Sequence, residues 1–128
     1  MTYLCMPSPV GLLTIFEDAA AIIAIEWGQS PDPDRSPLLA EARAQIEAYF
    51  AGTLTVFDLP LRPAGTDFLQ AVCRQMSMIP FGHTRTYGEL AHDLDSAPRA
   101  VGGACGRNPI PIVIPCHRVV GAGGRMTG

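Results

Sequence analysis

No apolar run in this 128-residue chain approaches the roughly 18–20 residues that a membrane-spanning helix needs. The first nine residues carry no basic flank leading into a long apolar stretch, so a secretory leader is not expected either. A cytoplasmic protein, nuclear in a eukaryote, is the expectation. The four cysteines, Cys5, Cys73, Cys105 and Cys116, contain no CxxC and no close pair, which argues for free thiols over a disulfide framework. His83, His92 and His117 stand at no spacing that builds a metal site with them, so neither metal nor cofactor is expected. Lysine is absent, and every cation is an arginine.

What is present is apolar enough for a folded core: 48% of the residues are hydrophobic. The net charge of −3 argues at face value against a polyanionic partner, but it is unevenly spread. Residues 1–63 hold three arginines against eight acids (3 − 8 = −5), and residues 64–128 hold six against four (6 − 4 = +2). An acidic front and a mildly basic back fit a chain whose second half alone meets nucleic acid.

Residues 10–16 and 22–27 are apolar runs of strand length, and together they predict a hairpin. Ser36 and Pro37 read as an N-cap and first helical position, opening a helix with Leu39, Ala42, Ile46, Tyr49 and Phe50 at helical spacing and Gly52 at its end. Residues 53–61 are strand-like. A boundary is expected near residues 62–65, separating a domain at 1–63 from one at 64–128. In the second, Thr66 caps a helix whose apolar stripe is Phe68, Val72, Met76 and Ile79, stopped by Pro80. Thr86 and Glu89 form a capping box before Leu90, Ala91 and Leu94. Ser96 is expected to cap a further helix to about Arg107, and two short helices so closely joined predict a helix-turn-helix. The fold class is α+β: a small N-terminal sheet with one helix, then a helical C-terminal domain.

The second helix of that pair carries Gly102, Gly103 and Gly106, at about 1 kcal/mol each relative to alanine in a helix interior. Close packing on a neighbour, or close approach of the backbone to a ligand such as a sugar-phosphate strand, can account for them. A slim helix with one long arginine, Arg99, near its start suits a narrow groove and binding that ignores sequence.

Residues 108–120 are the most informative segment. Pro109, Pro111 and Pro115 exclude helix, and residues 112–114 read as a short buried strand. Pro115 ends it, so Cys116 stands at a turn beside His117. Histidine can take the proton of a thiol, and the thiolate is the reactive form. Strand neighbours point to opposite faces, so the two communicate only through a turn or a bridging water. Read without the surrounding sequence, a cysteine beside a histidine is more often a buried, inert thiol next to a structural imidazole.

Pro115, Cys116, His117, Arg118 and Val119, with Asn108 and Pro109 upstream, resemble the active-site signature of the O6-alkylguanine-DNA alkyltransferases. The likeness extends to Ser8-Pro9-Val10-Gly11-Leu12, Ile79-Pro80-Phe81-Gly82, Thr86-Tyr87-Gly88-Glu89-Leu90-Ala91 and Arg99-Ala100-Val101-Gly102-Gly103-Ala104. It implies a ribonuclease-like N-terminal domain and a DNA-binding second one. It implies single-turnover transfer of an alkyl group from O6-alkylguanine, and from O4-alkylthymine as a further substrate, to Cys116. His117 is then the base acting through water, Tyr87 the group that rotates the nucleotide out and donates a proton to the guanine ring, and Asn108 the brace of the turn. Arg99 fills the vacated stack. DNA contacts come from Arg99, Tyr87, Ala100, Gly102, Gly103, Arg107 and Arg118, and the alkylguanine pocket from Cys116, Val119 and Met126. The implied partner is double-stranded DNA carrying alkylated guanine, met from the minor groove by a monomer.

The resemblance departs at Cys73, where the family commonly has an aromatic, and at Gly128, beyond which members continue with a further loop, a C-terminal helix and the glutamate that orients the histidine. A chain without that carboxylate is expected to transfer weakly or not at all. Two other classes stay open: a relative that binds the lesion without repairing it, in which the cysteine is usually replaced, and a helix-turn-helix regulator, which calls for a more polar recognition helix.

Overall fold

A computed structural model describes residues 2–28 and 36–121. The chain divides into two compact units, Met1–Ala64 and Gly65–Gly128, and the class is α+β.

The first unit is a three-stranded antiparallel sheet of order β1-β2-β3, made of β1 (Thr2–Met6), β2 (Leu13–Asp18) and β3 (Ala21–Trp27). Helix α1 (Pro37–Phe50) packs on β1 and β2. Met6, Leu13, Ile15, Ile22 and Ile25 from the sheet and Leu39, Ala42 and Ile46 from the helix are buried together as its core. The one buried polar side chain among the described residues, Thr14, donates to the Gly28 carbonyl at 2.9 Å and meets Cys5 Sγ at 3.2 Å. α1 starts as expected: Ser36 Oγ accepts from the Leu39 amide at 3.0 Å, and Pro37 follows in the first turn. It ends in a Schellman motif. Gly52, at φ +81°, donates to Tyr49 and Thr53 donates to Ala48.

Three expectations for this unit change. The first strand, β1, had not been anticipated. The second starts at Leu13, because Ser8 and Gly11 close a tight turn over residues 8–11 (Gly11 amide to Ser8 carbonyl, 3.0 Å, with Gly11 at φ +109°) that takes Val10 and Gly11 out of the strand. Residues 53–61 are not a strand. Leu61 makes one parallel bridge to Ile22, and Asp58 is held by the Gln45 side chain, which donates to its carbonyl at 3.0 Å and accepts from its amide at 2.8 Å. Pro60 and Pro63 remove the amides that a longer ladder needs.

The second unit starts with α2 (Asp67–Ser77), capped by Thr66, whose hydroxyl accepts from the Leu69 amide at 3.1 Å. Its buried face is Leu69, Val72, Cys73 and Met76, with Ile79 buried just past its end and Phe68 half-buried. A two-residue strand β4 (Arg85–Thr86) leads into α3 (Tyr87–Asp93), which has the complete capping box. α4 (Pro98–Gly106) follows and packs on α2 and α3. Ser96 does not cap α4, as the spacing had suggested. α4 starts from Ala97 with no side-chain cap, because Ser96 serves the end of α3 instead. Asp95 sits at φ +51° and donates to His92, and Ser96 donates to Ala91, which is a Schellman motif with aspartate where glycine is usual. β5 (Val119–Val120) lies parallel to β4, pairing Arg85 with Val119 and Thr86 with Val120. Among the described residues no helix is long and apolar enough to cross a membrane.

Candidate active site

The segment from Asn108 to Val120 is built from turns, and the strand expected over residues 112–114 is absent. Prolines at 109, 111 and 115 leave too few amides for a ladder, and one side chain, together with a backbone bond from the Ile114 amide to the Ile110 carbonyl at 2.9 Å, holds the segment. Asn108 donates through Nδ2 to the Ile114 carbonyl at 2.9 Å and accepts at Oδ1 from the Ile110 amide at 3.0 Å. Inside this brace the Val113 amide bonds the Pro111 carbonyl at 2.9 Å around Ile112 at φ +75°. That is a γ-turn of the rare, strained hand, on a β-branched residue. A second, relaxed γ-turn follows: Pro115 has φ −82° and ψ 72°, and the Cys116 amide bonds the Ile114 carbonyl at 2.9 Å. The Ile114 carbonyl thus accepts from both Asn108 and the cysteine's own amide.

Cys116, His117 and Arg118 then form a single 3₁₀ turn, closed by the Arg118 amide on the Pro115 carbonyl at 3.0 Å. The turn had been expected after Pro115; it begins before it. Cys116 is half-buried and His117 exposed. Although the residue as a whole is exposed, partial desolvation of its ring lowers the His117 pKa, and the neighbouring Arg118 charge lowers it further, so the imidazole is biased toward the neutral form that can accept a proton. Cys73 and Cys105 are buried, and burial, followed by the charge of Cys116, pushes both thiols up to about 11. At neutral pH they stay protonated and poorly nucleophilic. Cys105 instead contacts Met76 Sδ at 3.6 Å.

β5 carries the chain from this turn into a parallel pair with β4, and the residue after β4 is Tyr87. Adjacent strands lie about 4.8 Å apart, so this pairing ties the start of α3 to the strand that leaves the cysteine turn. Tyr87 is half-buried, and a Cβ placed on Gly102 would lie 3.9 Å from its Cε1, so the glycine face of α4 lies along the tyrosine ring. Arg99, Ala100 and Gly103 are exposed on α4, as is Arg107 at its C-cap, and Gly102 is half-buried. A Cβ on Gly106 would meet nothing within 4 Å, and one on Gly103 would meet only the mobile end of Arg107, at 3.3 Å. Packing within the described residues therefore does not explain these two glycines. Val119 is buried in β5, and Met126 lies outside the described residues. Arg118 is half-buried and donates to the Ile79 carbonyl at 2.7 Å. Sequence reasoning had no signal for that bond, nor for the turn at Ile112, since a β-branched residue is the last expected at positive φ. Among the described residues no cluster of three or more His, Cys, Asp or Glu could hold a metal.

Comparison with known proteins agrees with this arrangement. Residues 67–128 match the model of the 6-O-methylguanine DNA methyltransferase DNA binding domain, and residues 1–63 match that of the same family's ribonuclease-like domain. A methylated-DNA–protein-cysteine methyltransferase of Methanosarcina acetivorans is 41% identical over 138 residues, covering 100% of this chain and 88% of the relative. Its namesake in Mycobacterium tuberculosis H37Rv is 42% identical, covering 98% and 82%. The crystal structure of M. tuberculosis OGT in complex with DNA superposes with a TM-score of 0.90 at 41% identity, over 100% of this chain and 83% of that one. The Methanococcus jannaschii O6-methylguanine DNA methyltransferase, at 24% identity and a TM-score of 0.69, shares the fold. The chain belongs to the O6-methylguanine DNA methyltransferase family.

Proposed function

We propose that this protein repairs DNA by moving the alkyl group of an O6-alkylguanine onto the sulfur of Cys116, once per chain. The observation that carries the reading is the contrast among thiols. Cys73 and Cys105 are buried and held protonated, and the half-buried Cys5 contacts the Thr14 hydroxyl within the sheet, whereas Cys116 is half-exposed at the head of a 3₁₀ turn beside a neutral-biased histidine. In this mechanism His117 takes the thiol proton through water. The thiolate then attacks the saturated carbon in line, the S–C bond forms as the C–O bond breaks, and the electron pair goes to the guanine. Tyr87 donates a proton to the purine ring, so guanine leaves neutral. A thioether offers water no easy exit, so the protein acts a single time.

The reacting carbon lies within the duplex, so the nucleotide is rotated out of the stack, with Tyr87 steering it and Arg99 filling the gap. The bare face of α4, with Gly102 and Gly103 between Arg99 and Arg107, and Ala100 beside them, fits a backbone that approaches DNA from the minor groove. The same face lacks the long polar side chains that a sequence-reading regulator needs. Cys116 and the Val119 backbone line the purine pocket, with Met126 assigned to it from sequence alone, and O4-alkylthymine is a second substrate. The protein works as a monomer in the cytoplasm, or in the nucleus of a eukaryote, where four free thiols persist.

The test is stoichiometry. With excess duplex carrying O6-methylguanine, methyl transfer rises to about one equivalent per chain and stops, and Cys116→Ser abolishes it. The relatives are longer than this chain, so the M. tuberculosis protein is the reference for rate. Transfer that continues past one equivalent, or survives Cys116→Ser, contradicts the reading.

A further inference from the structure

We propose that Arg118 is a positioning residue, not a phosphate contact: its guanidinium pins the Cys116–Arg118 turn to the Ile79 carbonyl and the Phe81 ring, and so aims the Cys116 sulfur. The inference rests on Cys116 being the alkyl acceptor.

Two features built into the chain receive this side chain. The first is the Ile79 carbonyl, just beyond the end of α2, where helix carbonyls lack intrahelical partners; Arg118 Nη1 reaches it at 2.7 Å, the short distance of a charge-assisted bond. The second is the ring of Phe81, whose centroid lies 5.6 Å from the guanidinium carbon. Phe81 is 53% exposed, which is unusual for phenylalanine, and its place is set by a type II turn. Gly82 takes φ +81° at the third position of that turn, and the His83 amide bonds the Pro80 carbonyl at 3.0 Å.

The backbone of Arg118 is fixed as well. Its amide closes the 3₁₀ turn on Pro115, and the next residue enters β5. One residue therefore joins the cysteine turn to the α2–β4 link and to the β4–β5 pair that precedes Tyr87. The Arg118 charge also acts on His117, second to burial, in the direction that favours a neutral base.

The experiment compares wild type, Arg118→Lys, Arg118→Met and Phe81→Leu. Hydrogen exchange at the Cys116 and Arg118 amides reports the turn directly. Arg118→Met is expected to speed both about ten-fold while α2, α3 and α4 keep their protection, and Arg118→Lys is expected to restore most of it. Phe81→Leu keeps the carbonyl bond and removes the ring's quadrupole, and about a three-fold effect is expected. With O6-methylguanine duplex, Arg118→Met is expected to slow transfer at saturation about ten-fold with the DNA Kd unchanged. A weaker Kd, a salt slope smaller by about one and an unaltered saturated rate would instead identify a phosphate contact and overturn the proposal. Loss of protection spread over all three helices also overturns it, since that is global destabilisation. If the methyl group is found on a cysteine other than Cys116 while the two amides still loosen in Arg118→Met, the acceptor reading fails and the pin stands. Unaltered amides sink the pin whatever the wild type does.

Discussion

A strained turn in the first unit and one in the second are supported in opposite ways. In the first unit, β2 and β3 are joined through Ala19 at φ +48° and Ala20 at φ +63°, a two-residue hairpin turn whose usual occupants are asparagine and glycine. Left-handed backbone costs a non-glycine residue about 1–2 kcal/mol, and here two full strands of paired backbone hold it in place. In the second unit, Ile112 takes φ +75° with no ladder on either side, and the loop is held by the two bonds of Asn108 and one backbone bond, from the Ile114 amide to the Ile110 carbonyl at 2.9 Å. Strain backed by a sheet can be removed without touching chemistry. Strain held by one side chain and one backbone bond, four residues from the reactive thiol, is part of how that thiol is presented.

The largest effect that tests this contrast is at Asn108. Asn108→Ala leaves the Ile110 amide and one claim on the Ile114 carbonyl unmet, at about 1–3 kcal/mol for each group that stays out of water. We expect about 2–3 kcal/mol of lost stability by urea unfolding, and transfer to Cys116 slowed by about a hundred-fold. A variant that unfolds earlier but transfers at the wild-type rate would separate the brace from the chemistry.

The matching change in the first unit is Ala19→Asn with Ala20→Gly. It is expected to stabilise by about 1–2 kcal/mol in the same assay, with transfer unaltered, because these residues favour the turn's backbone. A change in transfer rate would show that strain in the two units is linked.

Glycines sharpen the comparison at smaller scale. Gly52 ends α1 at φ +81° with open space around it, so Gly52→Ala is expected to destabilise by about 1 kcal/mol for conformational reasons alone. Gly103 lies within α4 with only the end of Arg107 near, so Gly103→Ala is expected to stabilise by about 1 kcal/mol and still weaken DNA binding several-fold. Thermal unfolding and a titration with lesion duplex read the two quantities separately. Gly103→Ala with unimpaired DNA binding would remove the reason given for a bare α4.

The smallest effect concerns pH. His117 has a folded pKa below its ordinary value of 6.5, so the unfolded chain binds its proton first as pH falls. Its contribution to stability is therefore full above about 6.5 and declines as pH drops toward the folded pKa, then levels off. His117→Gln is expected to flatten that part of the stability–pH curve. Equal slopes in the two proteins would show that His117 is not biased toward the neutral form.

Much of this molecule was legible wherever a local rule has a single dominant cause. Ser36, Thr66 and the Thr86–Glu89 box each satisfy amides at a helix start, and Gly52 fills the one left-handed position at the end of α1; all could be read as spacing. What escaped was whatever local rules forbid and long-range bonds enforce. Ile112 reads as strand because it is β-branched, and Asn108 and the prolines make it a turn. Ser96 is a good cap for α4, and a Schellman motif at Asp95 claims it first. β1 is an ordinary strand whose first residues carry little alternation, and it becomes recognisable only opposite β2. At the site, the resemblance singled out Cys116, His117 and Asn108. The bond from Arg118 to Ile79 spans 39 residues and left no trace in spacing.

The central claim is that the turn at Cys116 makes this thiol, among four, the one that accepts an alkyl group. Peptide-mapping mass spectrometry after prolonged incubation with O6-methylguanine duplex tests it most directly, by asking which cysteine has gained about 14 Da. The account predicts the methyl on Cys116 alone, with Cys5, Cys73 and Cys105 unchanged. A methyl group on any of those three would contradict it.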